Sequence, residues 1–276
     1  GAHVDRIEVT PQDGTRAVIL EGGTRIAAGT VLFNGDPRAL ATGALGPDCA
    51  HVAPQTRGAP RSLSAQVWAF AATPQGPDLT YHNVFFRDDP KPEFDALDHG
   101  ELSPDPTLYV CAQDRGQGTL PGARERFEII ANAPPLQDTP RTEDFHQCET
   151  RTFRTLARFG LTFDPTPETA ALTTPAGFER LFPASDGSLY GQSPHGMTAA
   201  FERPTARTPV RGLYLAGGGT HPGAGVPMAA LSGRHAVAAI MQDRISTSTC
   251  RATATPGGTS TGSAATGGAR SASSRS

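Results

Sequence analysis

The amino-terminal part of the chain places short apolar runs between polar residues, a pattern that predicts strands. Three such runs are centred on Ile7, Ile19 and Ile26, and the pair Gly22 and Gly23 marks a tight turn between the last two. Apolar runs joined by turns in this way are typical of an antiparallel meander. Residues 30–34 form instead a continuous apolar run closed by a Gly-Asp-Pro turn, which predicts a strand buried in a parallel sheet.

Residues 47–203 carry further apolar runs that are too short and too unevenly spaced to form a repeat. Candidate strands cover residues 67–70, 83–86, 107–111 and 127–131. They predict a mixed or antiparallel sheet in a second domain. A helix is expected to open at Thr139 and Pro140, to place its apolar positions on one face that covers the sheet, and to end at Gly160. Another helix start is predicted at Thr174 and Pro175.

Residues 212–244 predict a strand, a glycine-dense turn and a helix in direct succession. The apolar run LYLA precedes three consecutive glycines that begin at Gly217, and glycine has the least restricted backbone angles. Pro227 suits a first helical position, so the helix is expected to begin near Val226. The first N–H groups of a helix lack partners within it, and the helix dipole is positive there. The sequence therefore predicts an anion site at this corner.

Residue spacing excludes three common motifs. A P-loop needs Gly-Lys-Ser/Thr before the helix, and residues 212–244 contain no lysine. The dinucleotide fingerprint GxGxxG fails because Pro222 stands at its last position. The hydrolase elbow GxSxG is approached at residues 191–195 but ends in His195 instead of glycine.

Composition restricts the class of partner. The 276 residues carry a formal net charge of −3 and a pI near 6.3, and Lys and Arg are scattered, so no nucleic-acid partner is expected. No apolar run is long enough to cross a bilayer and the first residues resemble no targeting segment, which predicts a soluble or peripheral protein. The four cysteines and eight histidines follow no metal-ligand spacing, so buried thiols and no metal site are expected.

Five segments together resemble one known family. They are LYLAGGGTHPGAGVPMAALSGR from Leu213, YHNVFFRDD from Tyr81, PTLYVCAQDR from Pro106, ERFEIIANAPP from Glu125 and GSLYGQSPHGM from Gly187. The first closely resembles the carboxy-terminal flavin-binding signature of the phytoene desaturases. The set as a whole is most similar to the bacterial hydroxycarotenoid 3,4-desaturases, also called methoxyneurosporene dehydrogenases, and the resemblance extends from about Gly1 to Arg244.

The resemblance implies an α/β (α+β) fold, the carboxy-terminal part of a two-domain FAD-binding fold of the amine oxidase and glutathione reductase type. The amino-terminal dinucleotide-binding motif of that fold is expected to be absent. Residues 1–46 are expected to belong to the FAD-binding domain, residues 47–203 to a substrate domain that lines a hydrophobic tunnel, and residues 204–245 to the last strand, turn and helix of the FAD-binding domain. Residues 246–276 lack large apolar side chains and are expected to be disordered.

The resemblance also assigns FAD-binding residues. The residues expected beside the ribityl chain and pyrophosphate are Gly217, Gly218, Gly219 and Thr220. Backbone N–H groups around Val226, Pro227 and Met228 are expected to face the electron-accepting ring, although Pro227 itself has no N–H to donate.

Tyr190 and His195 are candidates for contact with the substrate, and a loop that packs on the FAD-binding domain explains them at least as well. His221 in the glycine turn is a candidate acid or base, but a histidine in a turn more often forms a hydrogen bond with the backbone. No catalytic base is assigned.

The implied activity is removal of hydrogen from a polyene lipid. The resemblance implies a carotenoid substrate, peripheral attachment of a cytoplasmic protein to the inner membrane, and quinone or oxygen as electron acceptor. The alternatives are a catalytically inactive fragment, or another flavin-dependent oxidoreductase such as a phytoene desaturase or an amine oxidase. An amine oxidase is the weaker alternative, because its substrate is usually surrounded by aromatic residues and this chain has only one tryptophan and four tyrosines.

Overall fold

A computed structural model describes residues 1–10, 12, 14–116, 122–136, 144–196, 198–199 and 201–251. Within these residues helices and strands are mixed. The strands are β1 Val4–Thr10, β2 Gly14–Leu20, β3 Arg25–Ala27, β4 Val31–Phe33, β5 Ser64–Gln75, β6 His82–Phe85, β7 Leu108–Ala112, β8 Glu125–Ala133, β9 Thr162–Asp164, β10 Leu172–Thr173 and β11 Leu213–Leu215. The α-helices are α1 Arg38–Ala41, α2 Lys91–Asp98, α3 Phe145–Arg158, α4 Pro175–Leu181 and α5 Val226–Arg251.

The first three strands form the predicted antiparallel meander. β1 pairs with β2, and β2 pairs with β3, both antiparallel. The next strand, β4, leaves this sheet and pairs in parallel with β11, so Leu32 lies opposite Tyr214. The meander and the parallel pairing are confirmed, but the prediction that this strand is buried is wrong, because β4 pairs with β11 alone in the described sheet and Leu32 is 45% exposed.

One apolar cluster joins the meander to the parallel pair. Its largest buried members are Ile7, Leu40, Val52, Leu213 and Leu215. Burial of a side chain of this size contributes about 1.5–3 kcal/mol, so the cluster fixes β11 against elements that lie far away in the sequence. Cys49 is buried in the same cluster, and burial raises the pKa of its thiol to about 11.

The large sheet has the strand order β10-β5-β8-β7-β6, with β9 also pairing with β5, and the pairs are antiparallel. It contains all four strands predicted between residues 67 and 131. One face of the sheet is covered by α3, as expected, through a cluster that includes Trp68, Phe127, Cys148 and Leu156. Residues Gly1–Ile240, which carry these sheets, form one compact unit, and Met241–Ser276 form a second.

Two helix starts follow the side chains that cap them. α3 begins at Phe145 because the carboxylate of Asp144 accepts a hydrogen bond from the N–H of His146 at 3.0 Å. The predicted opening at Thr139 and Pro140 lies outside the described residues. α4 begins at Pro175, as predicted, and Thr174 is its N-cap.

The carboxy-terminal helix is longer than predicted. α5 begins at Val226, as expected, but continues to Arg251, so the predicted boundary at Ile245 is wrong. Residues 246–251 contain neither glycine nor proline, and serine, threonine and arginine are all tolerated in an exposed helix. Residues 252–276 lie outside the described residues. None of the helices in the described part of the chain has the length and apolar character needed to cross a bilayer.

Replacing Phe127 with alanine should lower the free energy of unfolding by about 3–5 kcal/mol, because large core cavities are not refilled. Phe127 is 1% exposed and its ring contacts those of Phe70 and Phe163. The matched control is Phe86→Ala, since Phe86 is 64% exposed, and it should change stability by less than about 1 kcal/mol. Urea unfolding measures both, and equal losses would contradict the assignment of this core.

Candidate functional site

The glycine turn starts where the parallel pair ends. The N–H of Ala216 donates to the carbonyl of Phe33 at 3.0 Å, which extends the pairing of β11 with β4 by one residue. The chain then turns at Gly217, whose φ of +103° favours glycine. Since the carboxyl ends of parallel strands meet at one edge of a sheet, the turn lies beside the residues that follow β4.

α5 is held against this turn by a buried serine. The Ser232 hydroxyl accepts a hydrogen bond from the N–H of Gly217 at 2.7 Å and contacts the carbonyl of Ala229 at 2.6 Å. A Cβ added at Gly218 would lie 3.7 Å from the Cα of Ala224, just before the helix. The structure therefore brings the three glycines and the start of α5 together, as the sequence predicts.

The three glycines differ in how closely the protein surrounds them. A Cβ at Gly217 would overlap the side-chain oxygen of Asn34, and a Cβ at Gly219 would lie 2.6 Å from Cδ of Pro37. Both glycines are thus required by the close approach of the two strand ends. Gly218 meets no such obstacle, because its nearest neighbour is at an ordinary van der Waals distance. Of the three glycines, therefore, only Gly218 could be replaced by a residue with a Cβ without displacing a neighbour.

The first turn of α5 presents unused donors. Val226 is 85% exposed and Met228 is 43% exposed. Within the described chain no acceptor is bound by the N–H of Val226 or of Met228, whereas the N–H of Ala229 donates to the carbonyl of Gly225 at 2.9 Å. Pro227 contributes no donor. Two backbone N–H groups at the positive end of the helix dipole thus remain available to an electronegative atom.

Thr220 ends the glycine turn in a buried position. It is fully buried and its backbone N–H donates to the carbonyl of Gly217 at 3.1 Å. Its hydroxyl oxygen has no hydrogen-bond partner among the described residues. The same holds for two other buried atoms near this corner, Nη1 of Arg61 and Oε1 of Gln192. A buried polar atom without a partner is costly, so these three atoms indicate a polar ligand.

A buried ion pair lies where β4 ends. Asp36 forms an ion pair with Nη2 of Arg61, and both side chains are less than one-tenth exposed. The other carboxylate oxygen of Asp36 accepts the N–H of Arg38 at 3.0 Å, and Arg61 also donates to the carbonyl of Ser185. The pair joins the end of β4 to the segment that follows α4. Asp36 thus has a structural role beyond the Gly-Asp-Pro turn that its sequence predicts.

Arg203 links the glycine turn to the segment of Tyr190. It is 4% exposed and donates to the carbonyls of Gly218 at 2.7 Å, Tyr190 at 3.0 Å and Gln192 at 2.7 Å. Burial lowers the pKa of this guanidinium. The charge of Asp36 acts in the opposite direction, and the charge of Arg61 lowers the pKa as well. The side chain nevertheless stays protonated, because the ordinary pKa of arginine is very high. A Cβ at Gly191 would lie 3.5 Å from the Cα of Gly219, so the two segments are in contact.

The predicted substrate residues lie on one exposed segment between α4 and β11. Tyr190 has its backbone fixed by Arg203 and by the hydroxyl of Ser62, which accepts its N–H at 3.0 Å, while its side chain is half exposed. His195 is exposed, and its backbone N–H donates to the hydroxyl of Ser193 at 3.3 Å. The structure brings Tyr190 to the glycine turn, and it shows no comparable contact for His195.

His221 is held by packing and by its backbone. Its ring stacks between those of Phe201 and His235, with centroid distances of 6.3 and 6.4 Å. Its backbone N–H donates to the carbonyl of Pro204 at 2.8 Å. These contacts give His221 a structural role, and its candidacy as an acid or base stays a prediction.

The sequence did not predict the buried positions of three residues at this corner, Arg61, Gln192 and Arg203. Charged and amide residues outside regular elements are usually exposed, and no periodicity marks these as buried. The one available signal is indirect. Five glycines in residues 217–225 leave many carbonyls without regular partners, and buried carbonyls require donors from elsewhere in the chain.

Several known proteins are similar to this chain in sequence. Residues 183–241, which include the glycine turn and the start of α5, match the family described as flavin containing amine oxidoreductase. Three curated relatives carry the name hydroxyneurosporene desaturase. They come from Cereibacter sphaeroides (55% identical over 250 residues), Rhodobacter capsulatus (53% over 247) and Rubrivivax gelatinosus (45% over 267).

These matches cover 90%, 89% and 95% of the chain, and 50%, 49% and 51% of the respective relatives. The chain thus spans about half the length of the curated relatives it matches. The similarity confirms the relationship to the carotenoid desaturases that the sequence segments predict.

Gly219→Ala should unfold at a lower temperature than the parent protein, because its Cβ would lie 2.6 Å from a ring atom of Pro37. Gly218→Ala is the matched control. It adds the same methyl group one residue earlier, meets only an ordinary contact, and should leave the midpoint within about 2 °C. Thermal unfolding followed by circular dichroism measures both. If the two variants lose equal stability, the close approach of the strand ends is not the reason for the glycines.

Arg203→Met should lower the free energy of unfolding by about 3 kcal/mol or more, because three carbonyls lose their donor and each unsatisfied group costs about 1–3 kcal/mol. The control is Arg124→Met, an exposed arginine that donates to the carbonyl of Ala71. It should change stability by less than about 1 kcal/mol. Chemical unfolding measures both variants. An Arg203→Met variant as stable as the parent protein would show that the three hydrogen bonds of Arg203 contribute nothing to stability.

Proposed function

We propose that the protein is an FAD-dependent carotenoid desaturase that introduces the C-3,4 double bond of hydroxy- or methoxycarotenoids. The observation that carries the proposal is the corner formed by the glycine turn and the start of α5. There Gly218 lies beside Ala224 just before the helix, and the N–H groups of Val226 and Met228 bind no acceptor in the described chain. That corner lies in the region that matches a flavoprotein family. The names of the three relatives support the carotenoid substrate.

The residues present fit FAD. Gly218 has no side chain to separate its backbone from a ligand, and the flanking Gly217 and Gly219 permit the close approach of the two strand ends that shapes the turn. The unpartnered hydroxyl of Thr220 and the guanidinium of Arg61 supply polar atoms inside the corner. We expect Gly217, Gly218, Gly219 and Thr220 to hold the ribityl chain and pyrophosphate.

The oxidation itself belongs to the cofactor. When bound, FAD would accept a hydride equivalent from one carbon of the substrate while the neighbouring carbon loses a proton to a proton acceptor, and the two losses together leave the new double bond. The contribution of the chain is electrostatic, because the N–H groups of Val226 and Met228 stabilise negative charge at the electron-accepting ring. A polyene offers no leaving group to protonate, and we assign no catalytic base.

The large sheet supports the choice of a polyene. Its face opposite α3 carries a row of aligned residues, Val67, Ile130, Tyr109 and Val84, one from each of four neighbouring strands. Val84 is 55% exposed and the other three are partly exposed. A solvated face of an antiparallel sheet is normally polar, so an apolar row favours a long apolar ligand. We expect Tyr190 and His195 to contact the substrate nearer the flavin corner.

The substrate domain, residues 47–203, and the FAD-binding segments on either side of it, residues 1–46 and 204–245, are part of the same proposal. So are a cytoplasmic location, peripheral attachment to the inner membrane, and quinone or oxygen as electron acceptor. A water-insoluble substrate supports attachment to a bilayer, because the enzyme must collect it there.

FAD titration of the purified chain tests the proposal. It is performed on the chain alone and on the chain mixed with the other half of the Cereibacter sphaeroides relative, and flavin fluorescence reports binding. Binding in either sample supports the proposal, and reduction of the bound flavin by added hydroxycarotenoid supports the desaturase activity. Absence of flavin uptake in both samples favours a catalytically inactive fragment and overturns the proposal.

Gly218→Leu should weaken FAD binding at least tenfold, because its side chain would separate the backbone of the turn from the ligand proposed to lie against it. The matched control is Gly233→Leu within α5, where an added Cβ meets nothing within 4 Å, and it should retain the parental affinity. Circular dichroism verifies that both variants fold. Equal affinities for the two variants would place the flavin elsewhere.

A further inference from the structure

An arginine-lined groove runs along the outer face of α3, which is the face that carries Arg151, Arg154 and Arg158. It has a volume of about 830 Å³, its walls include Leu102 and Pro104, and its cationic lining consists of His146, Arg151, Arg154 and Arg158. Cys148 and Leu156 of the same helix lie in the apolar core. The groove shares no residue with the flavin corner.

The groove is basic although the whole chain has a net charge of −3. Among the described residues that line it, none is acidic. The carboxylate of Asp105 forms ion pairs with both Arg158 and Arg87, so one negative charge is shared by two positive ones. Arg154 is exposed and has no ion-pair partner in the described part of the chain.

Two further contacts belong to this surface. His146 lies 3.4 Å from the carboxylate of Glu149, and Nη1 of Arg151 lies 3.5 Å from the side-chain oxygen of Gln66. Neither contact neutralises an arginine. The guanidinium groups of Arg87, Arg151, Arg154 and Arg158 thus exceed the two carboxylates beside them, and the surface attracts anions.

An exposed aromatic side chain caps the carboxyl end of α3. Phe159 follows Arg158 at the end of α3, is 43% exposed, and packs its ring against that of Phe85 at a centroid distance of 5.3 Å. An exposed aromatic side chain beside arginines is the combination that places one group in the apolar layer of a bilayer and the other among phosphates.

We infer that the outer face of α3 is the surface by which the protein binds an anionic phospholipid membrane. Arg151, Arg154 and Arg158 contact lipid phosphates, and Phe159 enters the apolar layer. The arginines are spread over about 10 Å of helix, at a rise of about 1.5 Å per residue, so they match several headgroups better than one phosphate ion. The inference rests on the proposed function, because a polyene substrate has to be taken from a bilayer.

Flotation of the protein with vesicles tests the inference. The protein should float with vesicles of phosphatidylglycerol and phosphatidylcholine but not with pure phosphatidylcholine. The double variant Arg151→Glu/Arg154→Glu should lower the bound fraction at least about tenfold, since each basic residue near an anionic surface contributes about 1 kcal/mol. The matched control is Arg124→Glu/Arg211→Glu, which makes the same change of net charge at exposed arginines elsewhere and should float like the parent.

Three results would overturn the inference: no flotation of the parent protein, equal flotation of the two double variants, or release by inorganic phosphate at constant ionic strength, which would indicate a site for the free ion. FAD titration of the same variants separates this inference from the proposed function. Flavin binding without flotation would contradict only the proposed membrane surface. Flotation without flavin binding would contradict only the proposed flavin site.

Discussion

The parallel pairing of β4 with β11 is the contact on which the candidate site depends. It joins residues 31–33 to residues 213–215 and places the two chain segments that follow these strands at the same edge of the sheet. Asn34 and Pro37 on one side then leave no room for a Cβ at Gly217 or Gly219 on the other. Gly217 and Gly219 are therefore required by the strand pairing. Gly218 is not required by it, and it is the position at which we propose that the turn approaches a ligand.

The Asp36–Arg61 ion pair and Arg203 explain how a turn so rich in glycine can hold one conformation. Glycine loses the most conformational entropy on folding, so a turn of this composition needs contacts from outside. Arg203 supplies them by donating to Gly218 and to two carbonyls of the neighbouring segment. A guanidinium buried in this way compensates for carbonyls that no helix or strand would satisfy.

Local sequence signals predicted the elements of this fold better than their boundaries or partners. The meander, the strands of the large sheet and the start of α5 follow from apolar spacing, turn glycines and Pro227, all of which act within a few residues. The end of α5 was wrong because a polar run without glycine or proline gives no stop signal. The buried roles of Arg61 and Arg203 had no local signature, because they arise only when segments far apart in sequence meet.

The two faces of the large sheet differ: α3 covers one face, and the apolar row of Val67, Ile130, Tyr109 and Val84 lies on the other. β6 is an edge strand of the described sheet, and successive residues of a strand point to opposite faces. Phe85 packs against Phe159 on the α3 side, whereas Val84 belongs to the exposed row. Val84 and Phe85 thus place one apolar side chain on each face of the sheet at the β6 edge.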